Sequence, residues 1–438
     1  MPLGRKHLLI LANATISMAG SVGATAGQSE SQGFLEDGHL NLLARNMYWN
    51  HDGHAGSADK REWGQGFQLS YTSGYTEGLL GLGVDLSAYQ VTKLDGTKKY
   101  SGRAGVLVPD GEGTADEASS AGAAVKLRVS ETELRYGNNL RPYNPVFAPS
   151  DGRLMPSTAT GFWLTSSEWD GLMIEAGHMT AAKDFNSTNS SDDFFAAYAG
   201  KGTSTVDFFG GTYALTDAMN IGLYGADYKD IWKQYYTNLN LTHALSDTQS
   251  INFDFNLYKT NETGAALAGD IDTIAYSLAA AYSISGHTFK LTYQKVDGDT
   301  PFDYLGMGPG TYHDSIYLAN SSMLVDFNGP NEHSWGAFYT LNMAPYGVPG
   351  LSFSARYIKG SGVDASHMSI DSPYAFYGDK SSEEHWERDL EAKYVVQSGN
   401  LKGLSVRLRQ ATHRIGNNAS DYSSDQFRVI VEYPFNIF

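Results

Sequence analysis

The 438-residue sequence has no cysteine, only 13 prolines and a modest 18% of charged residues. Each shortage removes a class of answers. Without cysteine there is no disulfide, thiolate metal site or cysteine nucleophile. Soluble domains carry about 25% charged residues, and here positive charge is the scarcer sign: 31 Lys and Arg stand against 48 Asp and Glu, a net charge of −17. A nucleic-acid binder needs a basic stripe to displace phosphate counterions, and the RNP, zinc-finger and basic-helix patterns are missing, so no nucleic-acid partner is expected. Beyond Ala26 no apolar run approaches the roughly 18 residues of a spanning helix, which excludes a helical membrane protein. Catalytic signatures are absent as well: there is no Gly-x-Ser-x-Gly elbow, His-Glu-x-x-His, Walker loop or strand-to-helix Gly-x-Gly-x-x-Gly. His178, Asp230 and Ser315 can be drawn as a triad on paper, but nothing in the sequence makes them converge. Asp110 to Ser120 is acidic without the ligand spacing of a calcium loop and reads as an external loop. Neither a catalytic site, a metal nor a cofactor is expected.

What the sequence does contain is Tyr (28), Gly (48) and alternation. Met1 to Ala26 reads as a secretory signal, with Arg5 and Lys6 ahead of an apolar stretch and Ala24-Thr25-Ala26 as a small-residue cleavage pattern. Removing it leaves 29 basic and 48 acidic residues, a net charge of −19, and residues 27–438 as one domain. Through most of that domain apolar and polar residues alternate with a period of two. Leu351, Phe353, Ala355 and Tyr357 oppose Ser352, Ser354 and Arg356, and Ile251, Phe253, Phe255 and Leu257 oppose Asn252, Asp254 and Asn256. Roughly eighteen such segments, each about 9 to 14 residues long, suit tilted strands that cross a bilayer.

A soluble sandwich also alternates, and three features favour the membrane. Aromatics stand near the segment ends (Tyr48 and Trp49, Tyr71 and Tyr75, Tyr235 and Tyr236, Tyr433 and Phe435), as in interfacial girdles. Short spacers such as Asp170-Gly171 and Ser285-Gly286 contrast with long ones (Thr92 to Ser120, Met307 to His313, Ser361 to Glu384), as turns on one side and external loops on the other would. The chain also stops on an alternating aromatic strand ending in Phe438. The expected fold is all-β: a transmembrane antiparallel barrel of about 18 strands in an outer membrane, in contact with its lipid and lipopolysaccharide and inserted by barrel-assembly machinery.

In such a barrel the polar face of each strand lines water. With the apolar residues toward lipid, parity places Lys126, Arg128, Lys290, Arg356, Lys393, Arg407, Arg409 and Arg428 on the inner wall. Arg45 is not assigned by parity, because Leu42, Leu43 and Ala44 before it do not alternate. These cations either pair with luminal acids such as Glu391 and fill a plugged interior, or form an electropositive path for anionic groups. Rings of charge select solutes by replacing part of their hydration, and several weak sites let the solute leave again.

Longer motifs carry a family likeness. Gly33-Phe34-Leu35-Glu36-Asp37, Trp63-Gly64-Gln65-Gly66-Phe67, Tyr293-Gln294-Lys295-Val296, Gly298-Asp299-Thr300-Pro301-Phe302-Asp303-Tyr304, Asp314 to Ser321, Asp326 to Pro330, Glu391 to Gly399 and Val431 to Pro434 together resemble the OprD family of substrate-specific outer-membrane porins, and within it the basic amino-acid branch. The resemblance implies an eighteen-stranded barrel narrowed by inward loops, with a basic ladder on one wall that includes Arg45. It implies an inward loop over Gly137 to Pro156 carrying Arg141, Asp151 and Arg153, and a facing pocket of Tyr198, Tyr304, Asp314, Ser321 and Asp326. A zwitterion or other small carboxylate would satisfy both walls. The sequence departs from the branch at His51, Lys60 and Leu324. A passive channel for such solutes is the expectation; a surface barrel enzyme or adhesin with a closed lumen, and a general diffusion pore, are the alternatives.

Overall fold

The computed structural model describes residues 27–54, 58–96, 104–380, 384–416 and 423–438; the expected secretory segment lies outside them. Eighteen strands form one closed antiparallel sheet. They are β1 (His39–Gly53), β2 (Lys60–Thr72), β3 (Gly81–Asp95), β4 (Glu117–Val129), β5 (Thr132–Leu140) and β6 (Thr158–Trp169). β7 (Leu172–Lys183), β8 (Val206–Thr216), β9 (Met219–Tyr228), β10 (Trp232–Ser246), β11 (Gln249–Glu262) and β12 (Asp272–Ile284) follow. β13 (His287–Asp297), β14 (His333–Asn342), β15 (Leu351–Ser361), β16 (His385–Val395), β17 (Ser405–Ile415) and β18 (Ser424–Asn436) complete the ring. Each strand pairs with its neighbours in sequence, and β18 pairs with β1 to close the barrel, from Asn41↔Asn436 to Gly53↔Ser424. The terminal residues extend the seam: Leu40 N–H donates to the Phe438 carbonyl and Ile437 N–H to the Leu40 carbonyl, both at 2.9 Å.

Side chains follow the pleat. On β4, Val125 is 55% exposed and Val129 53%, while Lys126 between them is 2% exposed and Arg128 8%. The apolar side chains therefore face outward and the cations inward, as period two requires of a sheet bounded by lipid on one side and a polar lumen on the other. Two-residue turns, including Ser130-Glu131, Asp170-Gly171 and Ser285-Gly286, lie on one rim. Ser130 and Ser285 take positive φ (53° and 54°) at the first turn position, which matches the twist of the flanking strands, and at Asp170-Gly171 the positive φ (73°) falls on the glycine in second position, beside a register irregularity. The connections longer than nine residues all lie on the other rim.

The interior is filled by those connections. The segment between β5 and β6 turns into the barrel from Arg141, not Gly137, because β5 continues through a register irregularity to Leu140. Phe147 of this loop stacks on Phe208 (5.3 Å) and meets Phe194 edge-on (5.6 Å), while the Tyr228 hydroxyl donates to the Val146 carbonyl (2.7 Å). The segment between β13 and β14, residues 298–332, also enters the lumen. Met307 and His313, the ends of a spacer expected outside, are buried within it. A small inner sheet joins Phe194–Ala196 to Lys201–Thr203 and to Leu305–Gly306, locking the connection after β7 to this segment. Asp110 to Ser120 is only partly loop: Pro109–Asp110 and Gly113–Thr114 form a small hairpin and Glu117 to Ser120 belong to β4.

Parity also revises the girdle. Tyr48, Tyr71, Tyr235, Tyr433 and Phe435 share the outward positions, but Trp49, Tyr75 and Tyr236 are 5%, 6% and 4% exposed and point into the barrel. Adjacent residues on a strand cannot both face lipid.

Candidate functional site

The constriction is built from the wall inward. On β2, Gly64 and Gly66 face the lumen and Leu154 of the loop fills the space that side chains would occupy. A Cβ on Gly66 would meet the Leu154 carbonyl oxygen at 2.7 Å, and one on Gly64 would meet Leu154 Cδ1 at 2.5 Å. The loop is then fastened by charge. Arg45 Nη1 donates to the Asp151 carbonyl and Oδ1, both at 2.9 Å, and to the Arg153 carbonyl, while Arg45 Nε donates to Glu432 Oε1 at 2.7 Å. On the far side Asp314 N–H donates to the Ala148 carbonyl (3.0 Å) and Ser150 N–H to His313 Nδ1 (3.1 Å). His313 Nε2 sits 3.2 Å from Asp184 Oδ1, which also accepts from the Ser157 hydroxyl.

The expected cations occupy neighbouring rows of β13 to β18. Lys290, Phe338, Arg356 and Asp389 succeed one another in register across β13 to β16. Glu391, Arg409, Arg428 and Trp49 do so across β16, β17, β18 and β1. Lys393 pairs with Arg407 in the next row. Acids hold several of them in place: Arg356 bonds Asp389, and Arg409 Nε lies 2.9 Å and Arg407 Nε 3.9 Å from Glu391. The side chains stay a fifth or more exposed, at 23% for Arg356, 29% for Arg407 and 20% for Arg409. Arg428 lies 3.5 Å and Arg153 of the inward loop 4.2 Å from the centre of the Trp49 indole, so one ring carries two guanidiniums. Lys290 lies over Phe338, 4.3 Å from its centre.

Lys126 and Arg128 do not join these rows. Both face inward, but near the rim of short turns. There Lys126 bonds Asp85 Oδ1 (2.9 Å) and the Ser73 carbonyl (2.8 Å), while Arg128 donates to Gln28 Oε1 (3.1 Å) and lies over Tyr75. Parity identifies a face, and cannot see that residues 28, 73, 75 and 85 meet these cations there. Arg141 stands 3.8 Å from Asp151 Oδ2, within the loop.

Four of the five expected pocket residues converge. The hydroxyls of Tyr198 and Tyr304 both donate to Asp326 Oδ2, at 2.7 and 2.6 Å, and the Ser321 hydroxyl donates to Asp326 Oδ1 at 2.6 Å. Burial holds the Tyr198 and Tyr304 phenols far above their ordinary range, so both remain donors. Asp314 is the exception, since it lies against the inward loop beside Ser150, Arg153 and Arg141. The pocket and the cations are contiguous: Arg356 Nη1 donates to the Ser321 carbonyl (3.4 Å) and Arg428 Nη2 to the Met323 carbonyl (3.3 Å), within the segment that ends at Asp326. Two acids beneath were not anticipated. Asp303 accepts from the N–H groups of Tyr198, Ala199 and Tyr304 and from the Tyr374 hydroxyl, and Glu387 accepts from Leu324 and Val325 N–H. Asp303 belongs to a motif singled out in the sequence, one residue before Tyr304; Glu387 had no local signal. His178, Asp230 and Ser315 do not meet: His178 is exposed and bonds Asp207, whereas Ser315 is fully buried.

Comparison with known proteins agrees with this architecture. Residues 32–437 match the family described as "outer membrane porin, OprD family". The sequence is 48% identical to Porin D of Pseudomonas aeruginosa, over 96% of this chain and 98% of that protein, and 30% identical to the porin-like protein GalP of Pseudomonas putida, over 94% and 95%. The crystal structure of P. aeruginosa OprD superposes with a TM-score of 0.82 at 47% identity, covering 94% of this chain and 99% of that one. P. aeruginosa OpdK, solved with vanillate, gives a TM-score of 0.81 at 32% identity, over 92% and 100%. An eighteen-stranded barrel, narrowed by loops whose cations and buried acids come together inside it, thus sits among substrate-specific channels, and the chain belongs to the OprD family of outer-membrane porins.

Proposed function

We propose that this channel passively admits small carboxylate-bearing solutes, most of all zwitterionic basic amino acids and small peptides. One observation carries the reading: Arg356 and Arg428, which stand in register rows with Lys290 and Arg409, reach the Tyr198–Tyr304–Ser321–Asp326 cluster through the carbonyls of Ser321 and Met323, and the Arg356, Arg407 and Arg409 side chains stay partly exposed. A carboxylate exchanges hydration for bidentate guanidinium contacts, Lys393 and Lys290 extend the path, and a cationic end is drawn to the acid and the tyrosine faces. Several weak sites in series suit transit better than one tight site: a unit pair at 4 Å is worth about 1 kcal/mol in water and about 4 at an effective dielectric of about 20. Arg45, Asp151, Arg153 and Arg141 set the aperture. In this reading residues 1–26 are removed on export, the remainder is one domain, barrel-assembly machinery inserts it, and lipopolysaccharide surrounds it.

The test is single-channel current in a planar bilayer with arginine, glutamate or benzoate added. Arginine should interrupt the current, and Arg409→Ala and Asp326→Asn should each weaken that effect. Interruption by benzoate or glutamate alone would move the preference to simple carboxylates, and indifference to all three would mean a general pore.

A further inference from the structure

The lipid-facing side of β12 to β17 carries a feature that transport does not use. Ala280, Ala337 and Ala355 are small residues among Phe289, Leu291 and Leu390, and they floor an apolar groove of about 660 Å³ on the outer wall. The groove ends at Arg388, whose register neighbours are Tyr357 and Thr412. Arg388 faces lipid, since inward Glu387 and Asp389 flank it. It makes two long hydrogen bonds, to Gln410 Oε1 and Thr412 Oγ1, both at 3.3 Å, and among the described residues no carboxylate lies within ion-pair distance of it. One row nearer the rim of long connections, Trp335, Lys359, Trp386 and Arg414 stand side by side. Lys359 and Arg414 are neutralised by Glu384 (2.7 Å) and Asp425 (2.6 Å), so of these three cations Arg388 alone is left without an acid partner among the described residues.

A guanidinium on a lipid-facing surface is unfavourable unless an anion meets it. The rim of long connections faces the cell exterior in barrels of this kind, and the tryptophan row marks the interface there. We propose that this face binds a phosphorylated glycolipid of the outer leaflet, lipid A. One phosphate sits on Arg388 beside the Lys359–Trp386–Arg414 row, and one acyl chain lies along the alanine floor. Charge complementarity selects the headgroup, and the groove selects a saturated chain that packs against a rigid wall. The proposal is independent of which solute the lumen admits.

Native mass spectrometry of the detergent-purified barrel tests it, with bisphosphorylated lipid A, its dephosphorylated form and phosphatidylglycerol as probes. The wild type should retain bisphosphorylated lipid A in preference to the other two. Arg388→Gln should weaken that retention by about tenfold, the scale of one lost charge-assisted contact, and leave the dephosphorylated lipid unaffected. Ala337→Phe, which fills the groove, should weaken both forms of lipid A. Both side chains point away from the lumen, so single-channel conductance should stay at the wild-type value and certify the fold; should Ala337→Phe fail that control, Ala355→Leu replaces it. Equal lipid A retention by wild type and Arg388→Gln would overturn the proposal. So would phosphatidylglycerol held as firmly as lipid A, or a protein dimer that Ala337→Phe abolishes.

Discussion

Arg45 and Glu432 face each other in register across the seam where the last strand meets the first, Nε to Oε1 at 2.7 Å, and the same guanidinium grips the inward loop at Asp151 and Arg153. Closure of the barrel and position of the aperture thus share one side chain. Arg45→Ala should release the loop and leave Glu432 unpaired. Each lost charge-assisted bond contributes about 1.5–3 kcal/mol, toward the lower value here because Glu432 is 23% exposed. The expected outcome is larger, noisier single-channel conductance with the barrel intact in circular dichroism. An unchanged current would mean that Gln68, which donates to Asp151 and Leu154, holds the loop alone.

The Trp49 indole, shared by Arg153 and Arg428, separates cations that would otherwise repel. Each contact is worth about 0.5–2 kcal/mol. Trp49→Phe should preserve carboxylate-dependent current changes, while Trp49→Leu should reduce them several-fold and widen the pore. Equal behaviour of the two variants would show that the ring supplies bulk only.

Tyr198 and Tyr304 donate to the same oxygen of Asp326, so their effects should not add. Tyr198→Phe and Tyr304→Phe are each expected to weaken arginine-induced current interruption. A double-mutant cycle should give a coupling of about 0.5–3 kcal/mol. Strict additivity would place the two hydroxyls in separate roles.

The junction of the inward segments should respond to pH. Burial pushes the Asp303 carboxyl up to about 6, although three N–H groups and the Tyr374 hydroxyl donate to it. With the folded-state value above the ordinary 3.8, its contribution to stability is fully present at low pH and is lost as pH rises through about 6. Loop-opening noise in the current should therefore increase between pH 5 and 7, and Asp303→Asn should flatten the dependence. A wild-type trace with the opposite slope would assign the response to another group.

Much of this was readable from residues. Period two gave the barrel, and parity put Arg356, Arg407, Arg409 and Arg428 inside. Family motifs supplied Asp326 with Tyr198, Tyr304 and Ser321, which the sequence alone separates by up to 128 positions. What escaped was whatever depends on contacts made far along the chain. Lys126 and Arg128 have the right parity, yet Gln28, Tyr75 and Asp85 occupy them. In the sequence Trp49 groups with Tyr48, because an aromatic pair reads as a girdle until the pleat sends one ring each way. Asp314 belongs to a family motif, but its backbone is tied to Ala148 and that turns it toward the constriction loop.

The strand order is a ring in which every partner but one is the next segment of chain. Pairings between successive strands close connections of at most a few tens of residues, whereas the seam joins residues 387 positions apart. Closure entropy grows only with the logarithm of length, so that single joint costs roughly 3 kcal/mol more than a hairpin. A circularly permuted gene that links the present ends and reopens the chain at Asp170-Gly171 would move the joint to another wall while leaving every strand between the same two neighbours.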